Sequence, residues 1–277
     1  MDINKIKSEV KYLLFDLDGT VASDERCLAK DNHLIPDLLK SLNLKHSIIT
    51  GRPVYMMRRE IDALKPTMPV VGANGAMILD SSGNEMIWSH VMNQDYAKQF
   101  MKYLIETKTN FYLYTFKQIY TYPDEFEHVT RWREIIKTLD PKFQWKISSI
   151  SEYDPDKEPI LKFLISSSEH QRICDYVKSH YSDEFSTALS SRTSIDIGDI
   201  RVSKGTGLQE IMKVVKATPE QFMVFGDGGN DIPMFKIAKY SVALSNAEDF
   251  VKEAATFVTD IDNNGSGVYH FIKKIWQ

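Results

Sequence analysis

Asp16 and Asp18 lie two residues apart in Phe15-Asp16-Leu17-Asp18-Gly19-Thr20, directly after the apolar run Tyr12 to Phe15. Residues two apart on an extended chain point to the same side, so both carboxylates can face one point where the strand stops. Like charges this close raise each other's pKa unless a cation or a donor neutralises them. The pair therefore suggests a divalent metal or a shared proton. Read alone, it is equally an acidic turn in which Gly19 supplies the bend. A second acidic turn, Gly226-Asp227-Gly228-Gly229-Asn230-Asp231, follows the apolar stretch Gln221 to Phe225. Between the two lies Thr50-Gly51-Arg52, after the β-rich His46 to Ile49; its hydroxyl and glycine amide suit an anionic oxygen, and Thr50 is also placed to cap the next helix. Ser203-Lys204-Gly205 precedes a further helix, where a lysine taken singly reads as a solvated helix-start residue.

The elements that must position these groups alternate between strand and helix at both ends of the chain. After the first strand, Ile35, Leu38, Leu39 and Leu42 have helical spacing, with Asp31 or Asn32 as the expected cap, and His46 to Thr50 is the next strand. Thr50 leads into a helix through Met56, Met57 and Ile61, and Pro69 to Val71 is another short strand. Turn signals at Asn74-Gly75 and Ser82-Gly83-Asn84 then break the alternation. From about Met77 the texture changes, and the reading is an inserted α/β domain over residues 83–191, with 1–82 and 192–277 forming one core. Within the insertion, helices are expected over Gln94 to Ile105, from Arg131 to Leu139, and over Ser168 to Tyr181. Strands are expected in Phe111 to Tyr122 (two, meeting near Lys117-Gln118), Pro159 to Ser166, Phe185 to Leu189 and Thr193 to Ile197.

The aromatic residues Phe111, Tyr112, Tyr114, Phe116, Tyr120 and Tyr122 have the chemistry to stack on a sugar or base, but strand core and cross-strand pairing explain them more simply. Arg131-Trp132-Arg133 reads as a solvated helix face because the surrounding charge is mixed. After the insertion the alternation resumes. A helix carries Leu208, Ile211, Met212 and Val215, Pro233 falls in the first turn of another, strands are expected at Ser241 to Leu244 and Thr256 to Val258, and helices at Ala247 to Ala255 and Val268 to Ile275.

The fold class is thus α/β: a Rossmann-like, mostly parallel sheet core with an inserted α/β cap domain. In an open parallel sheet the carboxyl ends of the strands form the ligand crevice, so Asp16, Asp18, Thr50 and Asp227 can converge there, with Lys204 arriving from a helix start. Three carboxylates suit an oxygen-ligated Mg2+. A hydroxyl, an ammonium and glycine amides suit a phosphate.

With these motifs in this order, the chain resembles the haloacid dehalogenase superfamily, and within it the Cof-type (subfamily IIB) phosphatases with a C2-type cap. Asp16-Leu17-Asp18-Gly19-Thr20 is similar to the first motif, Thr50-Gly51-Arg52 to the second, Ser203-Lys204-Gly205 to the third and Gly226 to Asp231 to the fourth; Asn74-Gly75-Ala76 and Ser245-Asn246-Ala247 add to the likeness. The resemblance implies that Asp16 is a nucleophile forming an aspartyl phosphate and Asp18 the general acid/base. It implies Mg2+ held by the Asp16 carboxylate, the Asp18 backbone carbonyl and Asp227. Thr50, Gly51, Lys204 and Asn230 would hold the phosphoryl group, and Asp231 would support Lys204 or the metal shell. One departure is that Tyr240 to Ser245 lacks the glycine the family often carries there. Two other functions use the same residues: a phosphosugar mutase, and a phosphate-ligand-binding regulator without turnover, which the presence of both first-motif aspartates disfavours.

Bulk properties narrow the classes further. Hydrophobic residues make up 43% and charged residues 26% of 277, near ordinary globular values, which argues against disorder and membrane classes. A net charge of −4 gives no general attraction to nucleic acid or anionic lipid. With only two cysteines and no apolar leader, the expectation is a cytoplasmic protein. Its partner would be a small phosphorylated metabolite, such as a sugar phosphate or a cofactor-like phosphomonoester; the sequence carries no signal for an oligomeric state.

Overall fold

The structure, a computed structural model, describes residues 2–25, 27–166, 170–191 and 194–277. It divides into two compact units, one comprising the segments up to Val54, Arg58–Trp88 and Ser203–Gln277, the other Tyr55–Met57 and Ser89–Val202. Among the described residues no helix is long and apolar enough to cross a membrane.

The first unit opens with α1 (Ile3–Glu9), β1 (Tyr12–Phe15), α2 (Ile35–Ser41), β2 (Lys45–Ile48), α3 (Arg58–Leu64), β3 (Val70–Gly72), β4 (Met77–Leu79) and β5 (Met86–Ser89). The sequence pattern did not anticipate α1, a short polar helix that buries only Ile6 and is capped by Asp2 accepting from the Asn4 amide at 2.9 Å. The expected cap of α2 is also corrected. Asn32 is buried and spends its side chain on tertiary bonds, donating to Val21 O (2.9 Å) and accepting from the Tyr269 amide (3.2 Å). Asp31 faces His270 at 3.0 Å, and α2 starts instead with Pro36 in its first turn.

The second unit contains α4 (Gln94–Glu106), β6 (Phe111–Tyr114), β7 (Ile119–Tyr122), α5 (Glu127–Thr138), β8 (Ile147–Ser149), β9 (Lys162–Ser166), α6 (His170–His180), β10 (Phe185–Ser191) and β11 (Ser194–Asp199). Ser168 and Thr193, the expected starts of a helix and a strand, lie outside the described residues. The strands form one sheet in the order β10-β11-β9-β6-β7-β8, antiparallel except for the parallel pair β7 and β8. Side chains alternate across its faces. Phe111 and Leu113 meet Phe100 and Leu104 of α4 and Ile173 and Val177 of α6, whereas Tyr112 and Tyr114 turn to Val129 and Trp132 of α5. The aromatic stretch is therefore packing: the rings of Tyr112 and Trp132 stack at 5.3 Å.

The chain returns to the first unit with α7 (Lys204–Val215), β12 (Phe222–Gly226), α8 (Ile232–Phe235), β13 (Tyr240–Ala243), α9 (Asp249–Ala254), β14 (Phe257–Val258) and α10 (Gly267–Trp276). Five strands make a wholly parallel sheet, β14-β13-β12-β1-β2. β3, β4 and β5 form a separate sheet, tied on by a parallel bridge from Ile49 to Val71. A parallel sheet covered on both faces needs strands apolar on both sides, and Leu13, Leu14 and Phe15 are all fully buried. Leu14 and Val224 pack under Leu208 and Ile211 of α7 and Met234 of α8, while Phe225 meets Phe271 of α10 edge-on at 5.8 Å. Each such side chain contributes about 1.5–3 kcal/mol by burial. The α/β class and the parallel core expected from the sequence are what the structure has.

Candidate active site

β1 lies between β12 and β2 in the parallel sheet, one strand in from its edge, with Phe15 in register with Phe225 and with Ile48. The ladder runs one step beyond the strands: the Asp16 amide donates to Phe225 O and the Ile49 amide to Phe15 O, both at 2.9 Å. Asp16, Thr50 and Asp227 therefore leave three adjacent strands at the same edge, where the strand order reverses. This is the crevice position of doubly wound sheets.

Lys204 reaches this edge from the first turn of α7. Ser203 caps the helix through a reciprocal pair of bonds, its hydroxyl accepting from the Thr206 amide (3.2 Å) and its own amide donating to the Thr206 hydroxyl (2.8 Å). A lysine in the first turn works against the helix dipole. Its ammonium is 1% exposed and donates to Asp16 Oδ1 at 2.6 Å and to Asp231 Oδ1 at 2.5 Å. Burial opposes that charge, but Asp16 and Asp231 outweigh burial and raise the lysine's pKa above its ordinary value. The solvated helix-start reading of Lys204 is thereby excluded. Asp231 has its other oxygen, Oδ2, filled by the amides of Asp227 and Gly228, each at 2.9 Å. Only glycine fits at 226, since a β-carbon there would sit 2.3 Å from Asp231 Cγ.

Asp16, Asp227 and Asp231 bring carboxylate oxygens within 4.8 Å of one another. Thr20 donates to Asp227 Oδ1 at 2.7 Å. Burial, opposed by Lys204 and reinforced by Asp231 and Asp18, pushes Asp16 up to about 7. Burial likewise drives Asp227 well above the carboxylate range, with Asp16 and Asp231 adding repulsion. When all three are ionised, the carboxylates exceed the single ammonium by two negative charges, which a divalent cation would match. All the donors are hard oxygens, as Mg2+ requires. With both oxygens of Asp231 already engaged, the donors suited to a metal are those of Asp16 and Asp227.

The Thr50–Arg52 loop, the Ala73–Asn74 turn and the fourth-motif turn are fastened together. The Asn74 amide donates to Thr50 O at 3.0 Å, the Ala73 amide to Arg52 O at 2.9 Å, and the Asn230 side-chain amide to Asn74 Oδ1 at 3.0 Å. Ala73 and Asn74 both have left-handed backbone (φ 51° and 56°), an uncommon conformation for residues with a β-carbon. Gly51 lies against the same amide, its would-be β-carbon 3.1 Å from Asn74 Oδ1. Thr50, Gly51 and Asn230 are thus neighbours, as expected. Asn74 was not among the expected site residues, although Asn74-Gly75 was visible as a turn.

Asp18 is placed differently. Its carboxylate is held by the Arg52 guanidinium, Nε donating to Oδ2 at 2.7 Å and a terminal nitrogen pairing with Oδ1. It is not part of the three-carboxylate group. Arg52 in turn faces buried Glu60 at 3.4 Å, and Arg59 reaches Glu60 at 2.9 Å.

A sequence profile described as haloacid dehalogenase-like hydrolase matches residues 13–272. A Mycoplasma pneumoniae protein is 29% identical over 277 residues, covering 97% of this chain and 98% of its own. The Bacillus subtilis 5-amino-6-(5-phospho-D-ribitylamino)uracil phosphatase YcsE is 25% identical over 276 residues, covering 98% of this chain and all of that one. Among solved structures, the HAD subclass IIB sugar phosphatase BT4131 superposes with a TM-score of 0.82 at 23% identity, over 96% of this chain and 98% of that one, a likeness of fold. On a profile match that takes in all four motifs, from the first acidic turn to the helix after the last strand, this chain belongs to the haloacid dehalogenase-like hydrolase family.

Proposed function

We propose that the protein is a Mg2+-dependent phosphatase of small phosphorylated metabolites that works through an aspartyl phosphate. The observation that carries this reading is Lys204, buried and bridging Asp16 to Asp231 at the edge where Asp227 and Thr50 also emerge. The Asp16 carboxylate attacks phosphorus, the bond from phosphorus to the alcohol oxygen breaks, and Asp18 gives that oxygen a proton. Water then attacks the phosphorus as the Asp18 carboxylate removes one of its protons, and the bond from phosphorus to Asp16 breaks, releasing inorganic phosphate and restoring the Asp16 carboxylate and protonated Asp18. Thr50, the Gly51 amide, Lys204 and Asn230 hold the phosphoryl oxygens while charge shifts among them. Asp16, Asp227 and the Asp18 carbonyl would hold Mg2+, which when bound neutralises the meeting of two anions and aligns them. Asp231 fixes Lys204 and the fourth-motif turn.

The second unit, inserted between two halves of the core, is assigned as the cap that selects the leaving group. Sugar phosphates or cofactor-like phosphomonoesters are the proposed substrates, because YcsE and BT4131, by their names, act on a ribityl phosphate and on sugar phosphates. Two free cysteines and a net charge of −4 agree with a cytoplasmic protein that does not bind nucleic acid. The test is Asp16→Asn assayed for phosphate release from p-nitrophenyl phosphate with Mg2+. The expected result is abolished turnover in a folded protein; near-normal turnover would overturn the mechanism.

A further inference from the structure

Resting on that reading, we infer that Arg52 and Glu60 are positioning residues for the proton-transfer step, acting together on Asp18. Asp18 is on an exposed turn, its side chain 47% exposed, and a lone carboxylate there would sample several rotamers. Arg52 grips both of its oxygens with the planar fork that only a guanidinium offers. The fork is itself fixed at both ends. Its backbone belongs to the phosphate-side loop, where the Arg52 amide donates to the Thr50 hydroxyl at 3.2 Å and its carbonyl accepts from the Ala73 amide. Its far side meets Glu60, a carboxylate 2% exposed in the first turn of α3 that also receives Arg59.

A buried carboxylate is costly unless it is paired, and Glu60 gains its pairing from the arginine that orients Asp18. The chain Glu60, Arg52, Asp18 therefore links α3 to the first acidic turn and sets the plane in which the Asp18 carboxylate meets a leaving-group oxygen. Neither Arg52 nor Glu60 needs to touch substrate in this role.

The prediction is a dependence on leaving group. Phenolate is a poor leaving group that needs its oxygen protonated as the bond breaks, whereas p-nitrophenolate departs with little help. The experiment measures kcat/KM, which isolates the first phosphoryl transfer, for phenyl phosphate and p-nitrophenyl phosphate with Mg2+, in wild type, Arg52→Lys, Glu60→Gln and the double variant; thermal unfolding confirms that each variant is folded. Each single variant is expected to lose about tenfold or more on phenyl phosphate and much less on p-nitrophenyl phosphate. The double variant should be no worse than Arg52→Lys, because Glu60 acts through Arg52. Equal losses on both substrates, or none, overturn the inference, and additive losses overturn the part assigned to Glu60. If Glu60→Gln does not fold, Arg52→Lys alone decides. Asp16→Asn serves as the separate control: if it turns over either substrate, the phosphatase mechanism itself fails, whatever the leaving-group pattern.

Discussion

Gly19 and Asp227 come from the two acidic turns and touch so closely that a β-carbon on Gly19 would lie 2.1 Å from Asp227 Oδ2. Gly19 also has left-handed backbone, φ +77°, which other residues adopt at a cost. Gly19→Ala must therefore strain the turn or push Asp227 aside. The expected outcome is a loss of about 1–3 kcal/mol in stability together with weaker Mg2+ binding, read by urea unfolding and by titration calorimetry. Unchanged affinity and stability would mean that the contact is slack.

Lys204 sits between two carboxylates with no water access, and removing it leaves both uncompensated. Lys204→Met is expected to destabilise the fold by about 3–5 kcal/mol and to cut phosphate release by about a hundredfold or more. Urea-unfolding midpoints and steady-state rates check the two effects separately. A variant as stable as wild type would show that the buried lysine is dispensable to the fold.

The excess negative charge at Asp16, Asp227 and Asp231 predicts that Mg2+ stabilises the folded chain without any substrate. At a hundredfold excess over its Kd a ligand adds about 2.7 kcal/mol, and for a chain of this size each kcal/mol moves the melting temperature by about 2–4 °C. Calorimetric melting in EDTA and in Mg2+ should show that rise, and Asp227→Asn should remove most of it. The same EDTA treatment should silence phosphate release until Mg2+ is restored.

His46 gives a pH dependence outside the site. It is 2% exposed, its Nε2 lies 2.7 Å from Leu64 O, and its Nδ1 is buried with no hydrogen-bond partner. A carbonyl at Nε2 requires the proton there, so a second proton would have to enter at the unpartnered Nδ1. Burial lowers the His46 pKa below its ordinary 6.5 despite the help of the Leu64 carbonyl. A histidine with a lowered folded pKa contributes full stability above its unfolded pKa and loses it as pH falls below that value. The difference in unfolding free energy between wild type and His46→Gln should therefore shrink from pH 7.5 to pH 5.5. A constant difference would exclude His46 from the acid response.

Much of the site was legible because a parallel sheet brings strand ends together whatever the loops do: polar residues just past apolar runs, Asp16, Thr50 and Asp227, had to share an edge. Side-chain pairings across long separations were not legible. Thr20 meets Asp227 across 207 residues and Asn230 meets Asn74 across 156, and which hydroxyl or amide finds which partner depends on loop geometry that local pattern does not encode. Asp31 and Asn32 show the converse. A polar pair before a periodic apolar run has the look of a helix cap, but such side chains have tertiary bonds as an alternative outlet, and here those bonds prevailed. Taken singly, Lys204 reads as a solvated helix-start lysine, because only the tertiary structure decides whether a helix start is wet; the order of the motifs is what places it in the site.

Because β1 pairs with β12, Tyr12 in register with Phe222, the strand that leads to Asp16 waits for a neighbour that is made late. At synthesis rates of about 5–20 residues per second, β1 and β2 leave the ribosome many seconds before β12, and the whole inserted unit is made in the interval. The nascent chain therefore carries Asp16 without Lys204 or Asp227 until the last third emerges, so the cluster of carboxylates around the buried lysine can assemble only when the protein is nearly complete.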